Sequence, residues 1–74
     1  MQQKLINLMS EIFDLPEAEI TVEASMSTID NWDSLSHLQL IAGIEENFNI
    51  QIDTEEVLQM TTVENILEIL KKKG

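Results

Sequence analysis

The 74-residue chain has no cysteine and a single histidine, His37. It therefore reads as one domain over residues 1–74 with no disulfide, thiolate or multi-histidine metal site, held by an aliphatic core in which Leu, Ile and Val supply 22 residues. Two Gly and one Pro give too little turn chemistry for many short strands, which leaves a small all-α bundle. The four basic residues, Lys4, Lys71, Lys72 and Lys73, stand at the ends, and residues 5–70 carry all fourteen Asp and Glu. Such a body repels nucleic acid and anionic headgroups and is drawn to basic protein surfaces, or serves solubility alone.

In chain order, Leu5, Ile6, Leu8, Met9, Ile12 and Phe13 form the stripe of an amphipathic first helix, which Asp14-Leu15-Pro16 ends. About seventeen residues without a sustained period follow, a connection long enough to be functional or partly helical, with Ile20, Val22, Met26 and Ile29 expected to pin it to the bundle. The second long helix is predicted over residues 34–48, with Asp33 or Ser34 as N-cap and Ser36 and Gln39 at capping-box spacing. Residues 47–52 alternate polar and apolar, which suits an inward-pointing extended connection. A short third helix is predicted from Asp53, with Glu56 at capping-box spacing and Val57 and Leu58 buried. The last helix is marked by Thr61 and Glu64 as a capping box, by the stripe Val63, Ile66, Leu67 and Leu70, and by three lysines that complement its C-terminal dipole. The expected fold is thus a small four-helix bundle of three principal helices and one short one, with a long loop between helices 1 and 2. No apolar run approaches ~18 residues and the N-terminus lacks a signal peptide's features, so a soluble cytoplasmic chain is expected.

A wheel of the second helix, at about 100° per residue, puts Leu40, Ile44, Phe48 and Ile41 at about 140° to 240° from Leu35. Leu38, Ala42 and Leu35 fall at about 300° to 360°, so the apolar arc is too wide for one packing face. One half can face the core, while the other is covered by the loop or exposed as a contact surface. Ser34 projects between the two halves at the helix N-terminus, where free N–H groups and the macrodipole suit a phosphate ester. Capping alone is the other role open to Asp33 and Ser34, and the commoner one.

The run from Trp32 through Asp33-Ser34-Leu35 to Glu45-Glu46-Asn47-Phe48 resembles the acyl carrier protein family, whose signature is Asp-Ser-Leu followed by an amphipathic helix ending in Glu-Glu-x-Phe. The resemblance extends over almost the whole chain, through Ile50-Gln51-Ile52 before an Asp-x-Glu-Glu turn and the Thr-Val-x-x-Ile start of the last helix. It implies a non-catalytic carrier that holds acyl groups as thioesters on a 4′-phosphopantetheine arm attached at Ser34, installed by a phosphopantetheinyl transferase. On that resemblance Asp33 presents a carboxylate to the transferase, Leu35, Leu38, Ala42, Glu45 and Glu46 form the docking face for loading and transfer enzymes with basic surfaces, and Leu40, Ile41, Ile44, Phe48, Ile52, Ile66 and Leu70 line the interior that accepts an acyl chain. For each of those apolar positions ordinary core packing is the competing role. The family's general fatty-acid carriers usually have acidic residues where this chain has Ser36 and Gln39, and a small residue at His37. These departures, with Trp32 before the motif, point to a dedicated stand-alone carrier of a specialised lipid, polyketide, peptide or glycan-modification pathway, with an aminoacyl carrier as the alternative; a monomer is expected.

A hydrolase built on Asp33, Ser34 and His37 lacks a separate oxyanion hole and a Gly-x-Ser-x-Gly elbow, and Asp30 and Asp33 do not follow EF-hand spacing. His37 is expected as a partly buried polar residue near the arm. An acidic helical interaction module without a prosthetic group is the competing class.

Overall fold

The computed structural model describes residues 2–73. Helix α1 spans Gln2–Phe13, α2 Ser34–Phe48, α3 Thr54–Gln59 and α4 Val63–Lys73. Among the described residues there is no strand, only one antiparallel bridge between Ser25 and Thr62. The architecture is the all-α four-helix bundle that the periodicity predicts, and α2 starts and ends where the sequence places it.

The core follows from the stripes. Leu5, Met9 and Phe13 of α1 meet Leu40, Ile41 and Ile44 of α2 and Val63, Ile66, Ile69 and Leu70 of α4, with Met60 filling the α3–α4 junction. Helix α2 meets α1 at Gly43, where a Cβ would lie 3.0 Å from Leu8 Cδ1. Helix α1 stops as Asp14 turns left-handed (φ 55°), a conformation that a short polar side chain tolerates. Asn49 does the same at the end of α2 (φ 56°). Beside it, Lys4 Nζ donates to the Asn47 carbonyl at 2.7 Å and lies 5.2 Å from the Phe48 ring centre, a cation at the negative end of a helix.

The long connection between α1 and α2 is tied to both α1 and the start of α4. Met26 N–H donates to Thr61 O and Ala24 O accepts from Val63 N–H, each at 3.0 Å, while Asn31 Nδ2 donates to Phe13 O at 2.8 Å. Its helical part is one 3-10 turn, Glu17–Glu19. Ile20, Ala24, Ile29 and Trp32 are buried and Met26 is half-buried, but Val22 is exposed, because it stands in the turn that the Ala24 amide closes on Thr21 O at 3.0 Å.

Three local expectations need correction. Ser36 is the third residue of the α2 capping box, not the start of one with Gln39: Asp33 is the N-cap. At α4 it is Thr62, whose Oγ1 accepts the Asn65 amide at 3.0 Å, that caps the helix in place of Thr61. Leu58 is 74% exposed, since a helix as short as α3 turns only one side, with Val57 and Met60, towards the bundle.

Candidate functional site

The N-terminus of α2 divides its labour between neighbours. The Asp33 carboxylate accepts the Ser36 amide at 2.9 Å, and the Ser36 hydroxyl accepts the Asp33 amide at 2.8 Å and donates to Asn31 O at 2.6 Å. The Ser36 amide bond, above all, lowers the Asp33 pKa below its ordinary value and keeps the group a carboxylate. Ser34, the first residue of α2, is exposed and carries no side-chain hydrogen bond among the described residues. Its hydroxyl therefore stands free at the positive end of a fifteen-residue helix.

Beside it lies an open groove of about 290 Å³, lined by Ser34, His37, Leu38, Met26, Val57, Leu58 and Thr61. Four of these are apolar side chains from three different segments, so the groove is a product of how α3 and the loop meet α2. Its floor holds His37, 8% exposed, with both ring nitrogens engaged: Trp32 Nε1 donates to Nδ1 at 2.9 Å, and Nε2 lies 2.9 Å from Val57 O. An indole is only a donor and a carbonyl only an acceptor, so the ring is the neutral tautomer with its hydrogen on Nε2. No base is left for Ser34, and a Ser–His hydrolytic pair is not assembled.

The wheel division of α2 is visible in the structure. Leu35 and Leu38 are 68% and 61% exposed, Ala42 and Glu46 are exposed beside them, and Leu40, Ile41 and Ile44 are buried. Glu45 departs from the docking expectation: it is half-buried, and its Oε2 accepts the Ile52 amide at 2.9 Å, which fastens the α2–α3 connection. The interior residues Leu40, Ile41, Ile44, Ile66 and Leu70 are packed core, with Phe48 and Ile52 against it. The groove that reaches Ser34 is elsewhere and is lined by none of those seven. Sequence reasoning missed Met26, Val57, Leu58 and Thr61 as its walls, and no periodicity marks them, since they lie on separate segments. Trp32 and His37 left a signal, a lone indole and a lone imidazole five residues apart at the start of α2.

The site thus combines a free serine hydroxyl at a helix start, a cap built from its neighbours and an adjoining apolar groove. The chain matches the family model of the phosphopantetheine attachment site over residues 3–70. It is 36% identical over 72 residues to an acyl carrier protein of Buchnera aphidicola subsp. Baizongia pistaciae, covering 97% of this chain and 92% of that one. An acyl carrier protein of Coprothermobacter proteolyticus is 29% identical over 69 residues, 93% of this chain and 84% of that one. The solution NMR structure of the holo acyl carrier protein from Geobacter metallireducens superimposes with a TM-score of 0.86 at 30% identity, covering 97% of this chain and 83% of that one. The chain belongs to the acyl carrier protein family, and it is a non-catalytic carrier whose cofactor is covalently attached 4′-phosphopantetheine. Family membership implies a phosphopantetheinyl transferase and acyl-handling enzymes as partners. No helix among the described residues is long and apolar enough to cross a membrane.

Proposed function

We propose that Ser34 bears the phosphopantetheine arm and that the chain folds as one carrier domain that presents acyl thioesters to the enzymes of a specialised pathway. The observation that carries this reading is the free Ser34 hydroxyl, exposed at the start of α2 while Asp33 and Ser36 do the capping. When bound, the arm supplies a thiol for thioester formation; the protein supplies the anchor, the position and the surroundings. The phosphodiester would sit where free α2 N–H groups and the helix dipole favour an anion. The apolar walls Met26, Leu38, Val57 and Leu58 suit a hydrocarbon cargo better than a charged aminoacyl group.

Leu35, Leu38 and Ala42 supply the apolar part of the docking face and Glu46 and Asp33 its charges, which complement basic partner surfaces. The acidic body opposes binding to nucleic acid and anionic lipid, in keeping with a cytoplasmic monomer. Of the two departures from the usual acidic pattern, the exposed Gln39 supports the specialised pathway; Ser36 is buried under the loop and does not face a partner.

Incubation with a broad-specificity transferase and coenzyme A should add one phosphopantetheine mass, and Ser34→Ala should abolish it. Addition that persists in that variant would remove Ser34 from the role. For the pathway, the holo protein should be slower than a housekeeping carrier from the same source in malonyl transfer, and Gln39→Glu should narrow the gap. Equal rates would assign the chain to general fatty-acid synthesis.

A further inference from the structure

We propose that His37 is a positioning residue, a latch that holds α3 against α2 and so fixes the width of the groove beside Ser34. The inference rests on the reading of Ser34 as the anchor only for its consequence on cargo. The latch itself is a matter of hydrogen bonds.

Helix α3 has six residues, too few to be stable by its own backbone hydrogen bonds. Its attachments are unequal on its two sides. Towards α4, Lys73 Nζ pairs with Glu56 at 2.9 Å and Asn65 Nδ2 donates to Gln59 O at 3.1 Å. Towards α2, the side-chain hydrogen bond is that of His37 to Val57 O. His37 is itself held from behind by Trp32, a residue of the long loop that is buried against Phe13 with ring centres 5.3 Å apart. The chain Trp32–His37–Val57 thus runs from the loop through the first turn of α2 into α3, and two of the three segments it joins form the groove's opposite walls.

The consequence is directional. If the His37 bond is lost while the Lys73 and Asn65 bonds remain, α3 is still held along its α4 edge and can swing away from α2 about that edge. Val57 and Leu58 would move with it and Leu38 would not, so the groove would widen next to Ser34. A cargo tethered at Ser34 that needs more room than the resting groove provides would have to release the latch. His37 would therefore set which chain lengths are accommodated, without touching the thioester.

The test uses the full chain and two readouts. In the unmodified protein, His37→Phe fills the site but makes neither hydrogen bond; the amides of Val57 and Met60 should exchange with solvent about tenfold faster or more, while those of α1 change little. His37→Gln, whose amide can accept from Trp32 and donate to Val57, should restore protection. If His37→Phe does not fold, Trp32→Phe, which removes the rear bond together with part of a buried ring, should accelerate the same α3 amides by a smaller factor and leave those of α4 little changed, since Lys73 and Asn65 still hold that edge. In the second readout, butyryl, octanoyl and dodecanoyl groups are loaded through the arm. The gain in melting temperature with chain length should level off at a longer chain in His37→Phe, or in Trp32→Phe, than in the wild type and return with His37→Gln. Unchanged α3 exchange in a folded latch variant, or an unchanged plateau despite faster exchange, would overturn the proposal. Failure of Ser34 to accept the arm would show instead as an unchanged intact mass, leaving the exchange measurement to judge the latch alone.

Discussion

Asp33 and Ser36 exchange hydrogen bonds across the first turn of α2, amide to carboxylate at 2.9 Å and amide to hydroxyl at 2.8 Å, and the exposed Ser34 between them in sequence is left out. That reciprocity resolves the ambiguity of an Asp-Ser pair at a helix start. The cap needs the carboxylate and the second serine, so the first serine can be modified without cost to the helix.

Ser34→Ala should therefore change stability by no more than about 0.5 kcal/mol, whereas Ser36→Ala should cost about 1–2 kcal/mol by leaving the Asp33 amide and Asn31 carbonyl without their partner. Urea unfolding followed by circular dichroism checks the pair. An equal loss in both variants would mean that Ser34 is structural.

Three shifted groups set the pH dependence. Asp33 is lowered by the Ser36 amide, and Glu56 is lowered first by Lys73 and then by the Asp53 amide. Each contribution is complete above the ordinary values of 3.8 and 4.5 and is lost as pH falls through the lower folded values. Lys73 is raised by Glu56, so its contribution is complete below its ordinary 10.5 and is lost as pH rises beyond that through the folded value. Glu56→Gln should flatten the alkaline loss and leave the Asp33 part of the acid loss in place, as measured by melting temperature against pH. An alkaline limb unchanged in Glu56→Gln would show that this surface pair contributes nothing.

The two faces of α2 should respond oppositely to truncation. Leu40 is fully buried, and Leu40→Ala should cost about 2–5 kcal/mol. Leu38 is 61% exposed, and Leu38→Ala should cost under about 0.5 kcal/mol while slowing modification by the transferase. Calorimetry and initial rates on the same samples separate the effects. A large stability loss in Leu38→Ala would place it in the core.

Much of this was legible in the chain because α1, α2 and α4 bury regular stripes, and a period of 3.6 survives in sequence. The wheel of α2 separated exposed Leu35, Leu38 and Ala42 from buried Leu40, Ile41 and Ile44 for the same reason. Legibility failed where partners are distant. Val22 and Leu58 are apolar but exposed, Glu45 is acidic but bound to a backbone amide seven residues on, and the groove at Ser34 is assembled from the loop, α2 and α3. None of those contacts has a local period. Asp33 is one of the two N-caps expected for α2, but the expected capping box lies three residues late and the expected α4 cap one residue early, because Asp, Ser and Thr cluster at both starts and only the bonds decide which residue leads.

Gly43 is another position that sequence alone leaves silent, and it stands where α2 packs against Leu8 of α1. A Cβ there would meet the Leu8 methyl carbons at 3.0 and 3.2 Å. Alanine gains about 1 kcal/mol of helix propensity over glycine, and Leu8, a half-buried flexible side chain, can shift by a few tenths of an ångström to make room. The two effects oppose, so Gly43→Ala should lie within about 0.5 kcal/mol of the wild type. Gly43→Leu has no such escape: its side chain must enter the space that Leu8 fills, and overpacking should cost about 1–3 kcal/mol. Adding Leu8→Ala to Gly43→Leu should recover part of that loss, because the methyl groups that clash are gone, although Leu8→Ala alone destabilises. A double-mutant cycle from urea unfolding measures the coupling directly. Additive effects, with no recovery in the double variant, would show that the helices are not in contact at this position.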